Sequence, residues 1–102
     1  MYARLLKFYK PGDPLYTIEH DENMVGVVYL ARHSKGGHLE SLAVDPYYQG
    51  VGLADCLVEV LANDNPGVIS LTTRIPGFFT RHGFKQVQIM PDQSHFIMRI
   101  ST

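Results

Sequence analysis

Apolar and polar residues alternate through much of the first half of the chain, the pattern that half-buried β-strands produce. Residues 15–20 and 24–32 each show it and flank a tight turn at residues 21–23, which predicts a hairpin. A second turn at residues 34–37 leads into a third strand that runs from residue 38 to residue 44. These three strands are predicted to form an antiparallel meander.

The chain before this meander is less clearly patterned. Residues 2–9 mix apolar and basic side chains, and both a short strand and a helical run fit them. Residues 11–14 form a break, because two prolines and a glycine remove backbone donors and fix turn dihedrals. The sequence leaves both alternatives open for residues 2–9.

Helical spacing replaces alternation after residue 50. From Val51 onward apolar side chains recur at intervals of three and four residues, at Ala54, Leu57, Val58 and Leu61. The polar, proline-containing residues 63–67 stop this helix after about three turns. Residues 68–73 then form a compact β-branched strand, and this strand, helix, strand succession predicts a right-handed crossover with parallel pairing.

A second, shorter helix is predicted at residues 75–82, where Pro76 suits the first turn and Gly83 the left-handed cap. Residues 84–89 and 95–100 form a last pair of strands. The predicted order is β-β-β-α-β-α-β-β. It indicates an α/β fold of the α+β type, with a mixed, mostly antiparallel sheet and two main helices packed against it.

Composition excludes several functions. With 102 residues, of which 45% are hydrophobic and 19% charged, residues 1–102 are expected to form a single compact domain. A net charge of -1 lacks the basic face of a nucleic-acid binder. The single cysteine, Cys56, excludes an internal disulfide. Neither a signal peptide nor a long apolar run is evident, so we expect no membrane association and a cytoplasmic location.

The stretch from His38 to Leu61 organises the rest of the chain. It joins the third strand to the long helix through the loop at residues 49–54, QGVGLA. Backbone N–H groups at a helix start lack intrahelical partners, and glycines let them approach a ligand, so this loop can hold an anion such as a phosphate. Two glycines before a helix are about as often a plain turn, and that alternative stays open.

The spacing within the loop distinguishes among anion-binding motifs. It lacks both the three-glycine register of the dinucleotide fingerprint and the Gly-Lys-Ser/Thr ending of the P-loop. Gln49, Gly52 and Ala54 instead resemble the (Arg/Gln)-x-x-Gly-x-(Gly/Ala) loop of the GNAT N-acetyltransferases. Residues 78–84, FFTRHGF, resemble the closing helix of that family with the Gly-Phe that follows it. The resemblance implies the GNAT fold.

The similarity is most specific to the GNAT domain of N-acetylglutamate synthase, and it covers most of residues 15–101. By this resemblance the cofactor is acetyl-CoA, with its pyrophosphate on the amides of residues 49–54. Its pantetheine arm pairs like an extra strand with the backbone of Leu42 and Val44. The implied cofactor-binding residues are Leu42, Ala43, Val44, Gln49, Gly50, Val51, Gly52, Leu53, Ala54 and Phe79.

Several residues depart from the family pattern. His38 occupies the slot of the usual glutamate base, and Phe79 occupies the slot of the tyrosine that protonates the leaving thiolate. Gln49 stands where many members have arginine, which keeps a donor, loses a charge and implies weaker CoA binding. The segment that usually walls the acceptor pocket is reduced to some fourteen residues before Leu15. The site is therefore expected to be open, or completed by a second subunit.

Acetyl transfer to an amine needs alignment, an oxyanion donor and a base. By resemblance the Val44 N–H is the oxyanion donor. Strand alternation places His38 and Glu40 on one face with Leu42 and Val44, and we expect His38 or Glu40 to be the base, directly or through water. An unperturbed histidine has a pKa of about 6.5, which suits proton transfer near neutrality. The alternatives are a solvated edge histidine and an ordinary exposed glutamate.

The remaining candidates are weaker. Arg74 follows a strand end beside the expected thioester, so it either binds an acceptor carboxylate or is a solvated charge. Cys56 is expected to be a small packed residue. Ser41 alternates to the face opposite His38, which argues against a Ser-His relay. No metal site is predicted, because the other histidines considered are scattered, at His20, His33 and His95.

The resemblance implies an acetyl-CoA-dependent N-acetyltransferase that acts on the amine of a small molecule or an amino acid. The missing tyrosine and the short N-terminal segment favour an alternative, a non-catalytic CoA-binding regulatory module that acts on a protein partner. The third hypothesis is a plain structural domain in which the glycines only turn the chain. An unpaired sheet edge would allow a homodimer.

Overall fold

The computed structural model describes residues 4–10, 13–33, 36–92 and 94–101. Seven strands form one sheet in the order β1-β2-β3-β4-β5-β7-β6. The strands are β1 Arg4–Lys10, β2 Asp13–His20, β3 Asn23–His33, β4 Gly36–Val44, β5 Val68–Thr73, β6 Lys85–Ile89 and β7 Phe96–Ser101. The helices are α1 Leu53–Asp64 and α2 Pro76–Thr80, and a short 3-10 turn spans Pro46–Tyr48.

The strand pairing confirms the predicted mixed, mostly antiparallel sheet. β4 and β5 run parallel, whereas the other neighbouring strands of the described chain pair antiparallel. The N-terminal segment is a strand, because β1 pairs with β2 from Arg4 through Lys10. Asp13 and Pro14 already belong to β2, so the predicted break is shorter than expected. Residues 11, 12, 34 and 35 of the two predicted turns lie outside the described residues.

Both helices lie where the sequence places them. α1 begins at Leu53 rather than Val51, because Gly50 and Gly52 have φ angles of 84° and 86°, which a right-handed helix cannot contain. α2 has five residues, and Gly83, with φ of 88°, closes the turn that follows it. Neither helix in the described part of the chain has the length and apolar character needed to cross a membrane.

Helix α1 covers one face of the sheet, here called the helix face. Val28 and Leu30 of β3 belong to it, and a Cβ added to Gly26 would lie 3.2 Å from the Leu57 side chain. The buried residues of α1 are Leu57, Val58 and Leu61. Burying each of these side chains stabilises the fold by about 2 kcal/mol. The turn after α2 lies on this face too, since a Cβ on Gly83 would contact Ile100.

A β-bulge at Glu40 overturns the predicted alternation along β4. Tyr29 pairs with Ser41 whereas the next residue, Leu30, pairs with Leu39, so Glu40 is an extra residue without a partner on β3. Residues directly opposite each other on paired strands share a face. The bulge therefore inverts the faces of β4 between its two halves.

The bulge separates His38 from the residues with which it was expected to share a face. Leu42 pairs with Val28 on the helix face, while His38 pairs with Ala31 on the opposite face, here called the open face. The prediction that His38 shares a face with Leu42 and Val44 was therefore wrong. The expectation for Ser41 was wrong as well, because Ser41 lies on the open face together with His38.

Candidate functional site

Strands β4 and β5 separate soon after they meet. Their described ladder consists of the pairs Gly37–Ile69 and His38–Ser70. Beyond the bulge, Leu42–Val44 keep partners on β3 but have none on β5 among the described residues. This gap leaves a stretch of strand edge inside the sheet, to which an extended ligand can hydrogen bond.

The Val44 backbone faces this gap. The next residue, Asp45, donates its N–H to the Val25 carbonyl on the β3 side, at 2.8 Å. Successive residues of a strand direct their N–H and C=O groups to opposite sides, so those of Val44 point away from β3. The Val44 carbonyl accepts a hydrogen bond from Gln49 Nε2 at 3.2 Å, which is consistent with this orientation. The Val44 N–H is thus directed towards the gap.

Glycines shape the loop between β4 and α1. A Cβ added to Gly50 or Gly52 would meet no atom within 4 Å, so glycine is needed here for its left-handed φ rather than for space. Gly52 is the N-cap of α1 and provides no side-chain cap. The first-turn N–H groups of α1 therefore have no side-chain partner at this cap and carry the positive end of the helix dipole.

The gap, the loop and the start of α1 line one cleft of about 460 Å³. Its lining residues are Leu42, Ala43, Val44, Tyr48, Gln49, Gly50, Gly52, Leu53, Ala54, Asp55, Ile75, Phe78 and Arg81. The cleft contains every residue predicted to bind the cofactor except Val51 and Phe79. Val51 belongs to the loop but is 61% exposed and lies outside the lining.

Phe79 lies in the core rather than in the cleft. It is 5% exposed and packs edge-on against Phe78 and Phe84, at 5.0 and 5.6 Å between ring centroids. Phe78 lines the cleft in its place. A five-residue helix is too short for its periodicity to show which of two adjacent aromatic rings faces inward.

Two charged residues of the cleft were not assigned to it from the sequence. Asp55, in the first turn of α1, lies 3.4 Å from the Arg81 guanidinium, and its carboxylate interacts favourably with the helix dipole. His82 Nε2 lies 2.7 Å from the same carboxylate oxygen, and its side chain is 10% exposed. An acidic residue at a helix start is a visible sequence signal, but its partners on another element are not.

Tyr48 is a further lining residue that the sequence did not indicate. Its hydroxyl lies 3.0 Å from Nδ1 of His20, and the two rings meet edge-on at 5.4 Å. This contact joins the 3-10 turn to β2. It ties a lining residue of the cleft to the sheet.

The two candidate bases lie where the gap begins. His38 Nδ1 is 3.1 Å from Ser70 Oγ, across the last described pair of the β4–β5 ladder. Glu40 is exposed at the bulge. Neither residue is part of the cleft lining, and His38 occupies the open face. The structure thus places both next to the opening of the gap, outside the cleft itself.

Arg74 belongs to a polar chain outside the cleft lining. Its Nε donates to His95 Nε2 at 2.9 Å, so the imidazole proton resides on Nδ1, which donates to Asp92 at 2.9 Å. The Ser94 backbone N–H and the His95 side chain lower the pKa of Asp92 to about 2. Ile75, the residue after Arg74, does line the cleft.

Cys56 is exposed on α1, so the expectation of a packed cysteine was wrong. Helical spacing places it beside Leu57, and only the tertiary structure shows which of these neighbours is buried. Across the described ranges, no three His, Cys, Asp or Glu side chains are grouped so that they could hold a metal ion.

Several solved structures that share this fold are described as acetyltransferases. The PaiA N-acetyltransferase from Thermoplasma acidophilum in complex with coenzyme A is 17% identical, with a TM-score of 0.76 over 89% of this chain and 62% of its own. A GNAT family acetyltransferase from Elizabethkingia anophelis with acetyl-CoA bound is 12% identical, with a TM-score of 0.73 over 89% of this chain and 77% of that one.

N-acetylglutamate synthase from Neisseria gonorrhoeae, complexed with coenzyme A and N-acetyl-glutamate, is also similar. It has 18% identity and a TM-score of 0.70 over 83% of this chain, which spans 24% of the synthase. The specific likeness to this enzyme is therefore one resemblance among several to the wider fold. No curated protein matches the sequence closely enough to add to this comparison.

The fold of this chain is the one that these acetyltransferase structures share. Residues 11–86 match the family model described as acetyltransferase (GNAT) domain. The chain belongs to the GNAT acetyltransferase family.

Proposed function

We propose that this chain is an acetyl-CoA-dependent N-acetyltransferase that acts on the amine of a small molecule or an amino acid. One observation carries the proposal: the cleft joins an unpaired strand edge at Leu42–Val44 to the uncapped start of α1. These are the two kinds of backbone site that a pantetheine amide arm and a pyrophosphate require. The presence of coenzyme A or acetyl-CoA in related structures supports the same ligand.

Different backbone groups of the chain bind different parts of acetyl-CoA. Amides of residues 49–54 hold the pyrophosphate, and the backbone of Leu42 and Val44 pairs with the amide arm. The Val44 N–H, directed towards the gap, donates to the thioester oxygen as negative charge develops there. Bound acetyl-CoA supplies an acetyl thioester, whose C–S bond is replaced by a bond to the acceptor nitrogen.

A base must take one proton from the acceptor nitrogen. His38 and Glu40 flank the start of the gap, and either accepts this proton, directly or through a water molecule. Phe79 cannot donate a proton to the leaving thiolate, which takes one from solvent instead. The exposed site, with two residues between β1 and β2 in place of a helical segment, leaves room for that solvent.

Arg74 is the proposed contact for an acceptor carboxylate. His95 fixes its Nε–H and so orients the guanidinium at the end of β5, one residue before the cleft. Guanidinium groups bind carboxylates with two parallel hydrogen bonds. An Arg74→Gln variant is then expected to raise KM for amino acids but not for neutral amines, as measured by acceptor-dependent CoA release.

The activity is tested by CoA thiol release from acetyl-CoA with a panel of amines and amino acids. We expect release that depends on an acceptor, and a loss of at least about a hundredfold in a His38→Ala, Glu40→Ala double variant. A His33→Ala, Glu22→Ala variant, changed at two exposed residues, serves as the matched control. Normal turnover of the His38, Glu40 variant would refute the choice of base.

A non-catalytic CoA-binding module is the second candidate. The burial of Phe79 in the core and the position of His38 on the open face favour it, because neither supplies a proton-transfer group inside the cleft. Acetyl-CoA binding without product from any amine of the panel would select this function over the first. Absence of binding would contradict both.

A further inference from the structure

The charged pair in the cleft suggests how the protein selects its anionic ligand. Arg81, in the turn after α2, and Asp55, in the first turn of α1, approach each other at 3.4 Å. Their side chains are 65% and 36% exposed. Exposed pairs of this kind stabilise proteins little, so Arg81 can exchange its partner at low cost.

Asp55 does not depend on Arg81 to stay in place. Its Oδ1 lies 2.7 Å from Nε2 of His82, whose ring is nearly buried beside Phe78, at 5.2 Å between centroids. The Arg81 guanidinium lies 5.4 Å from the centre of the Phe78 ring, which lines the cleft. Arg81 therefore remains at the cleft when it leaves Asp55, while His82 continues to hold the carboxylate.

The cleft offers a phosphate no other cationic side chain among its described lining residues. Gln49, at the position where the family motif allows arginine, is uncharged and donates its amide to the Val44 carbonyl. Phosphate accepts two parallel hydrogen bonds from a guanidinium, and such charge-assisted pairs are stronger than an exposed contact to a carboxylate.

We propose that Arg81 exchanges Asp55 for a phosphate group of bound CoA, so that the Asp55–Arg81 pair opens only for a ligand with an anion at this point. The inference rests on the proposed function, since it concerns the same cleft. Asp55 competes with the incoming phosphate for the Arg81 guanidinium. Removing its charge is thus expected to tighten CoA binding, whereas removing Arg81 weakens it.

Calorimetric titration of CoA into the whole chain tests the exchange. Arg81→Gln is expected to weaken binding roughly tenfold, and Arg81→Lys to recover part of that loss. Asp55→Asn is expected to strengthen binding severalfold, but not when Arg81→Gln is also present. Arg4→Gln is the matched control, because Arg4 is 62% exposed and pairs with Glu19 at 3.3 Å, outside the cleft lining.

Dephospho-CoA identifies the phosphate concerned. If the Arg81→Gln loss disappears with this ligand, Arg81 binds the 3′-phosphate, and if the loss persists, it binds the pyrophosphate. Either outcome supports the exchange.

Equal affinities of wild type and Arg81→Gln for CoA, or weaker binding by a folded Asp55→Asn variant, would overturn the exchange and leave the proposed function standing. A wild-type chain that does not bind CoA would contradict the proposed function and this inference together. Circular dichroism melting of each variant separates lost binding from lost folding.

Discussion

Asn65 ties the end of α1 to the sheet. It is 4% exposed, and its Nδ2 donates to the Leu61 carbonyl at 2.8 Å and to the Tyr16 hydroxyl at 2.9 Å. Its Oδ1 accepts from Arg32. One buried amide thus connects the C-terminus of the helix to two strands, which fixes the position of α1 against the sheet.

Replacing this amide is expected to cost stability without touching the cleft. Asn65→Ala should lower the free energy of unfolding by about 2 kcal/mol, because the buried hydrogen bonds from Nδ2 to the Tyr16 hydroxyl and to the Leu61 carbonyl are both lost. Asn63→Ala, an exposed change in the same last turn, should change it by less than about 0.5 kcal/mol. Urea unfolding measures both, and equal effects of the two substitutions would contradict a tethering role for Asn65.

Asp92, in the turn before β7, makes the stability of the fold depend on pH. Hydrogen bonds from the Ser94 backbone and from His95 lower its pKa from 3.8 to about 2. A carboxyl with a lowered pKa in the folded state stabilises the fold above its unfolded pKa, and that contribution is lost as the pH falls from about 4 to about 2.

We therefore expect wild type to be more stable than Asp92→Asn above pH 4, with a difference that shrinks towards pH 2. The difference should be small, because the side chain is 54% exposed. Urea midpoints of both proteins across this range measure it. A difference that does not vary with pH would show that the carboxylate charge is not responsible.

At the scale of elements, the junction between β4 and β5 sets the width of the gap. Gly36 begins β4 with φ of 143°, and a Cβ there would lie 2.2 Å from the Val68 carbonyl oxygen. The close approach of these two backbones fixes the point from which the strands diverge. A glycine at this position is needed for both its space and its conformation.

Gly36→Ala is expected to destabilise the fold by about 3 kcal/mol, because backbone atoms must move to admit the methyl group. Gly67→Ala, which also has a left-handed φ but meets no atom within 4 Å, should cost only about 1 kcal/mol. Thermal unfolding monitored by circular dichroism compares them. Similar losses would mean that φ strain alone, rather than the approach to Val68, makes Gly36 necessary.

Elements were more predictable than the residues they orient. The hydrophobic spacing of residues 68–73 predicts β5 with its observed bounds, and helical spacing places α1 within two residues of its start. The bulge at Glu40 could not be predicted, because an extra residue in one strand is defined only against its partner strand. This bulge is the reason that His38 lies on the opposite face from Leu42 and Val44.

The loop residues of the cleft could be predicted from the sequence, whereas its charged pair could not. Its loop residues depend on local chemistry, glycine φ angles and a helix start, which the sequence shows directly. Asp55 and Arg81 depend on two elements meeting, so no pattern within either element identifies them. The same holds for Tyr48 and His20, which lie on different elements.

At the scale of the whole molecule, the two described helices cover one face of a seven-strand sheet. Only two residues separate β1 from β2, too few for helices that would wall an acceptor pocket between these strands. An open site, or one completed by a second subunit, remains a prediction. On the outer strand β6 the side chains of Val87 and Ile89 are about half exposed. A homodimer formed through this sheet edge also remains a prediction.

The central claim is that backbone amides at the start of α1 bind the phosphates of CoA. Thermal unfolding of wild type with and without excess CoA tests it most directly, alongside Gly52→Ala and Gly67→Ala. A ligand at a hundred times its Kd stabilises the folded state by about 2.7 kcal/mol. We expect CoA to raise the Tm of wild type and of Gly67→Ala by several degrees, and to leave Gly52→Ala nearly unchanged. An equal rise in all three proteins, or none in wild type, would contradict the account.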